Sequence, residues 1–329
     1  MGIDNLGIIE STLDTKSQAY TEMMIYRKGK QREIKSLKKN SDLYLLQKRL
    51  AENFLNNIPL PNNVCGFVKN NSYKDFLLPH NIKDRNKTRY YLRLDIADFF
   101  NSISEEKVRK TIDEYITINN EEEKNSIISA IVGLVTFNGC LPQGGVTSPV
   151  ISNLVFRRID LRIRNYCDKL GIIYTRYADD MLFSANRENL HKGSFIKMLI
   201  NILKGSGFVL NRKKIKRGIN FISLNGFVVG NNVRISRSKR KEINRFIYNY
   251  EKGGIPKTAT ELLSKLNGEI FSSRIKPFET KTDIIHYLAG YRSFLILWLP
   301  ENKEDNWYRE STKLLDKINK IIKRLESLN

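Results

Sequence analysis

The chain has 329 residues, with 56 Lys and Arg against 35 Asp and Glu, a formal net charge of +21 and 41% hydrophobic residues. This composition supports a full core in one large or two to three small domains, and it excludes acidic disordered, collagen-like and disulfide mini-protein classes. The longest apolar runs, such as 294–299, fall far short of the ~20 residues of a bilayer-spanning helix, so the excess charge points to a polyanion, nucleic acid or an anionic lipid surface.

In chain order, residues 1–6 lack the basic and apolar regions of a signal peptide, and Leu6 stands where myristoylation wants Ser or Thr. That favours nucleic acid over lipid and a cytoplasmic location without membrane partners. Residues 21–50 hold nine basic against three acidic residues. Residues 90–96 are aromatic and β-branched enough for a strand. Ser102 and Glu105 form a capping box, and Val108, Ile112, Tyr115 and Ile116 then recur at helical spacing. Residues 126–137 read as a buried helix and 141–147 as a Pro/Gly loop. Ser148 caps the next helix, Pro149 opens it and Gly171 stops it. Strands 172–177 and 181–184 flank a tight turn at Ala178-Asp179-Asp180. A helix to Gly205 and a strand 208–210 follow. Residues 212–217 carry five basic residues in six. Strands 227–229 and 233–235 flank the hairpin signal Gly230-Asn231-Asn232. Beyond Ser238 the chain turns helical, and 231–329 hold 20 basic against 12 acidic residues. Several basic clusters in one chain favour a long binding track. Cys65, Cys140 and Cys167 are far apart and form no C-x-x-C pair, as expected of buried reduced thiols.

Asp179 and Asp180 sit at the predicted hairpin tip, and Asp95 lies near the end of a separate strand. Like charges gathered at a sheet rim are unfavourable unless neutralised. Oxygen-only ligands suit Mg²⁺ or Mn²⁺, and two such ions about 4 Å apart clamp an in-line phosphoryl transfer. An Asp-Asp pair alone is an ordinary polar turn. The tetrapeptide Tyr177-Ala178-Asp179-Asp180 is rarer.

That tetrapeptide resembles motif C of reverse transcriptases. Leu94-Asp95-Ile96-Ala97-Asp98-Phe99-Phe100 resembles motif A. Leu141-Pro142-Gln143-Gly144-Gly145-Val146-Thr147-Ser148-Pro149 with Ser152-Asn153 resembles motif B. Residues Gly207 to Lys214 resemble motif D, and Leu224-Asn225-Gly226-Phe227 stands where the primer grip belongs. All five follow the order and spacing of a polymerase palm. The resemblance implies an α+β right-hand polymerase with a palm built on an antiparallel sheet flanked by helices. Fingers would span 1–89, completed by about 104–140, the palm 90–230, and a basic helical thumb 231–329.

It also implies roles. Asp95, Asp179 and Asp180 would bind two catalytic Mg²⁺ ions, with Mn²⁺ as an alternative. Lys214 would be the acid for departing pyrophosphate, with Lys213 as competitor. Phe100 matches the steric gate against a ribose 2′-OH, and its neighbour Phe99 reads as core. Asp98 would lie under the triphosphate and act through its backbone N–H. Gln143 and Gly144 would line the nucleotide pocket. Lys30 and Arg32, alternating in a fingers hairpin, would grip the triphosphate. Asn225 and Gly226 would hold the primer.

The scarcity of Cys and His argues against a zinc-binding or HNH region, and no RNase H domain is expected after the thumb. The chain is similar to compact bacterial reverse transcriptases, the retron enzymes and their phage-defence relatives. Gly290-Tyr291-Arg292-Ser293-Phe294 is similar to the retron thumb. Two elements depart from the retron pattern. Phe76-Leu77-Leu78-Pro79-His80 keeps only the histidine of Asn-Ala-x-x-His, and Leu224-Asn225-Gly226 keeps only the glycine of Val-Thr-Gly. The expected activity is RNA-directed DNA synthesis from dNTPs on a structured noncoding RNA, giving an RNA–DNA hybrid, in a retron or anti-phage system. An effector or a second reverse transcriptase subunit is a further partner. Untemplated or protein-primed DNA synthesis and a non-catalytic RNA-binding scaffold are the alternatives.

Overall fold

The structure, a computed structural model, describes residues 7–27, 30–82, 87–267, 277–300 and 302–328. The chain divides into two compact units, residues 1–80 with 86–220 and residues 81–85 with 221–329.

The first unit opens with α1 (Gly7–Asp14) and an antiparallel hairpin of β1 (Tyr20–Arg27) and β2 (Lys30–Leu37). Next come α2 (Asp42–Asn53), whose Ser41 cap accepts from the Tyr44 N–H, and α3 (Tyr73–Leu77), started by a Ser72/Asp75 capping box. Then follow β3 (Tyr90–Asp95), α4 (Glu105–Asp113), α5 (Glu121–Val135), α6 (Ser148–Lys169), β4 (Ile173–Tyr177), β5 (Asp180–Ala185), α7 (Gly193–Lys204) and β6 (Lys216–Ile219).

One antiparallel sheet, in the order β4-β5-β3-β6, organises this unit. Every residue of β5 is buried, which explains why 181–183 reads as a continuous apolar run rather than an alternating one. Helix α6 packs beside β4 and α7. It buries Ile151, Leu154, Phe156, Ile159, Ile163 and Cys167. Phe156 meets Phe99 at 5.7 Å and Phe208 at 5.1 Å between ring centroids, so Phe99 is core.

Three local expectations are corrected. Helix α4 is capped by Ser104, whose hydroxyl accepts from the Lys107 N–H, so the Ser102/Glu105 pair is not its capping box. Thr147 rather than Ser148 stands at the cap of α6. Residues 208–210 form no strand beyond a single bridge between Ile96 and Leu210. The fourth strand is instead β6, which pairs with β3 from Tyr90↔Ile219 to Arg93↔Lys216. Its exposed Lys216 and Arg217 suit a sheet edge, where charge discourages pairing with another chain.

The second unit holds a three-stranded meander, β7 (Ile222–Leu224), β8 (Phe227–Val229) and β9 (Val233–Ile235). Asn225 (φ +46°) and Gly226 (φ +88°) form the two-residue turn between β7 and β8. Positive φ at both positions is the geometry that matches strand twist, and Asn-Gly is its preferred pair. Among the described residues, the helices α8 (Arg237–Glu251), α9 (Ala259–Asn267), α10 (Lys281–Leu297) and α11 (Asn306–Glu326) follow. Helix α11 buries Leu314, Leu315, Ile318, Ile321 and Leu325, the stripe its sequence spacing demands. Phe227 packs on Trp298 with centroids 4.2 Å apart. Among the described residues, no helix is long and apolar enough to cross a membrane.

Candidate active site

The site lies on the first unit, at the end of the sheet where β3, β5 and the β4–β5 turn meet. Asp95 is the last residue of β3 and pairs in register with Asp180, the first of β5. Tyr177 pairs with Asp180, so the turn consists of two residues, Ala178 and Asp179, and Asp180 belongs to the strand. The Ile96 N–H donates to the Asp179 carbonyl at 3.0 Å, and the Asn211 N–H to the Asp95 carbonyl at 2.8 Å. The backbone thereby ties motif A to the turn on one side and to the 209–211 segment on the other.

The three carboxylates have different surroundings. Asp95 is 2% exposed. Its Oδ2 accepts from Lys214 Nζ at 2.8 Å, while the buried Oδ1 has no hydrogen-bond partner among the described residues. Asp180 Oδ1 accepts from Arg93 Nε at 2.9 Å and Nη2 at 2.6 Å. Asp179 has its pKa pushed up to about 6, first by burial and then by Asp180 and Asp95. As they stand, no three acidic, His or Cys side chains among the described residues are grouped as an ion would require. Lys214 and Arg93 occupy two of the carboxylates instead. A buried orphan oxygen on Asp95, a carboxylate strained by its neighbours and an all-oxygen donor set nevertheless suit a hard divalent cation.

A cleft of about 690 Å³ opens beside these residues. Asp95, Asp98, Phe100, Gln143, Asp179 and Lys214 all line it. Lys214, not Lys213, reaches Asp95. Asp98 is exposed and has φ +43°. Asp180 and Gly144 are not among the lining residues. Gly144 has φ +122°, a conformation open mainly to glycine. Lys30 and Arg32 stand two positions apart on β2, opposite Arg27 and Ile25. Asn225 and Gly226 belong to the second unit.

Several lining residues belong to none of the sequence motifs. Lys35 and Phe137 flank the cleft, and the Lys35 N–H donates to the Gln143 carbonyl at 3.2 Å. Cys140 also lines it and is only half-buried, unlike Cys65 and Cys167. Phe67, 41% exposed, places its ring 6.3 Å from Phe100 and 6.2 Å from Tyr177. Arg93 carried a legible signal, because residues i and i+2 of a strand share a face and Arg93 is two before Asp95.

A family model described as reverse transcriptase (RNA-dependent DNA polymerase) matches residues 27–288. The chain belongs to the reverse transcriptase family. Among curated proteins, it is similar to retron reverse transcriptases. The retron Ec86 reverse transcriptase of Escherichia coli is 28% identical over 253 residues, covering 75% of this chain and 74% of that protein. The retron Ec73 reverse transcriptase of Escherichia coli is 33% identical over 188 residues, covering 54% and 57%. Among solved structures, apo telomerase from Candida tropicalis aligns with a TM-score of 0.51 at 12% identity, over 93% of this chain and 62% of that one. That likeness is one of fold, and the fold of this reverse transcriptase is the right-hand polymerase. Its enzyme class is RNA-directed DNA polymerase, a nucleotidyltransferase, and the family works with divalent metal ions.

Proposed function

We propose that this reverse transcriptase copies a structured noncoding RNA into DNA within a retron or related anti-phage system. Fingers lie in 1–89 and about 104–140, the palm in 90–230 and the thumb in 231–329. One observation carries the site assignment: Asp95 and Asp180 face each other across β3 and β5, with Asp179 in the two-residue turn at the rim of a nucleotide-sized cleft.

Asp95, Asp179 and Asp180 would hold the catalytic Mg²⁺ or Mn²⁺. Bound there, such ions supply Lewis acidity to a primer hydroxyl and to the leaving pyrophosphate. Lys214 and Arg93 keep the carboxylates charge-balanced until then. Lys214 would give a proton to the pyrophosphate oxygen. Phe100 crowds the sugar 2′ position and so favours dNTPs. Gln143 and Gly144 bound the nucleotide, the Asp98 backbone underlies the triphosphate, and Lys30 and Arg32 neutralise it. Asn225 and Gly226 grip the primer, and the basic helices of the thumb hold RNA and the RNA–DNA product, chiefly through phosphates and 2′-hydroxyls.

The test is incubation of purified protein and its co-purified RNA with labelled dNTPs and Mg²⁺. The expected product is DNA complementary to that RNA. A homopolymer or simple repeat would instead mean untemplated synthesis, and absence of product from folded protein on every template would overturn the polymerase reading.

A further inference from the structure

Beneath the catalytic turn lies a buried polar assembly that the chemistry above does not use. Arg176, one residue before Tyr177, is fully buried, and so is Asp160 on α6. Arg176 Nε and Nη2 donate to the Asp160 carboxylate at 2.6–3.1 Å. Its Nη1 donates to the Ala178 carbonyl at 3.0 Å, and Nη2 also to Asn153 Oδ1 at 3.1 Å. Asn153 Nδ2 donates in turn to the Gly66 carbonyl at 2.8 Å. The 63–66 segment lies along β4, with the Cys65 N–H donating to the Arg176 carbonyl and the Arg176 N–H to the Asn63 carbonyl, both at 2.8 Å. Gly66 is so close to the turn that a Cβ there would sit 2.6 Å from the Ala178 nitrogen.

A buried ion pair is seldom a net source of stability, since apolar residues of like volume often serve as well. What an apolar replacement cannot do is hold a carbonyl. The carbonyl held here is that of Ala178, whose φ of +56° is one that residues bearing a Cβ seldom adopt. On the opposite side, Ile96 fixes the Asp179 carbonyl. The turn is therefore gripped from both faces by backbone and buried donors.

We propose that the Asp160–Arg176–Asn153 assembly, with Gly66 pressed against the turn, is a positioning device that locks Ala178–Asp179 so that the Asp179 carboxylate is aimed at its metal. This rests on Asp179 being a metal ligand. None of the four residues is among those lining the cleft; they act through the turn.

The experiment uses the full chain without nucleic acid and follows binding of Mn²⁺ through the electron paramagnetic resonance signal of the free ion. Arg176→Lys keeps the charge beside Asp160 but loses the fork that reaches Ala178. Gly66→Ala keeps the whole assembly and displaces the turn by contact. Each is expected to weaken Mn²⁺ binding about tenfold or more, the usual effect of removing support behind a ligand. Each should also lower kcat while leaving the KM for dNTP nearly unchanged. Wild-type Mn²⁺ affinity and kcat per folded molecule, even with a lowered melting temperature, would mean a merely structural role and overturn the proposal. If Arg176→Lys does not fold, Gly66→Ala decides alone. Asp179→Asn is the control. Should it lose Mn²⁺ while the two variants bind normally, only the positioning proposal fails. Should it bind Mn²⁺ like the wild type, the assignment of the ligand fails, and the proposal with it.

Discussion

At Asp179 burial and two neighbouring carboxylates act in the same direction, pushing its pKa up to about 6. Asp179→Asn removes that repulsion and a proposed metal donor together. Nucleotide incorporation is expected to fall by on the order of a thousandfold, in keeping with the several kcal/mol that metal-ion stabilisation contributes. RNA retention on a filter should be unchanged. Phe100 lines the same cleft. Phe100→Ala should raise the ratio of rNTP to dNTP incorporation by about ten- to a hundredfold, the rate equivalent of relieving a clash of about 1–3 kcal/mol. Competition between the two nucleotides on one template measures it. The three aspartates were legible in the sequence because motif spacing records which residues sit at strand ends. Phe67 was not. It is brought beside Phe100 and Tyr177 by a bridge between Val64 and Arg176, and no local pattern encodes a pairing between such distant segments.

At the scale of elements, His80 ties the two strands of the catalytic hairpin. Its Nδ1 pairs with the Ser184 hydroxyl at 2.7 Å and its Nε2 with that of Thr175 at 2.8 Å. Burial lowers its pKa to about 3. A base whose folded pKa is depressed contributes stability that is complete above its unfolded value near 6.5 and is lost as pH falls towards the folded value. Within that window its contribution should fall by about 1.4 kcal/mol per pH unit. Urea unfolding at pH 7, 6 and 5 measures this, and the slope should flatten in His80→Gln, which does not titrate in that range. The histidine shared with the retron pattern is thus placed as a strut of the sheet. Strand β6 was hidden for a related reason. Its basic residues look like a solvated run, and only pairing with β3 makes them a sheet edge.

Across the whole molecule the charge of +21 sets how binding responds to salt. If six to ten phosphates are neutralised, affinity for the cognate RNA should drop about a thousandfold or more between 50 and 200 mM salt. Lys313, Lys317 and Lys320 are exposed on α11, opposite its buried stripe. Replacing all three with Glu should weaken RNA binding and lower the salt slope by about 0.9 for each phosphate no longer neutralised. Extension of a saturating primer–template should be largely preserved. Fluorescence titration at several salt concentrations measures the first effect and a gel-based extension assay the second.

By itself the sequence determined the family, the order of the strands that carry the motifs and the amphipathic stripe of the last helix. Each depends on spacing along the chain, and periodicity and motif intervals are properties of the chain. Tertiary structure alone decided which side chains meet. It paired Lys214 with Asp95 and Arg93 with Asp180, added β6 to the sheet and set Arg176 beneath the turn. Those choices depend on distances between residues remote in sequence. Such distances exist only once the apolar faces of β3, β5 and α6 have been buried together.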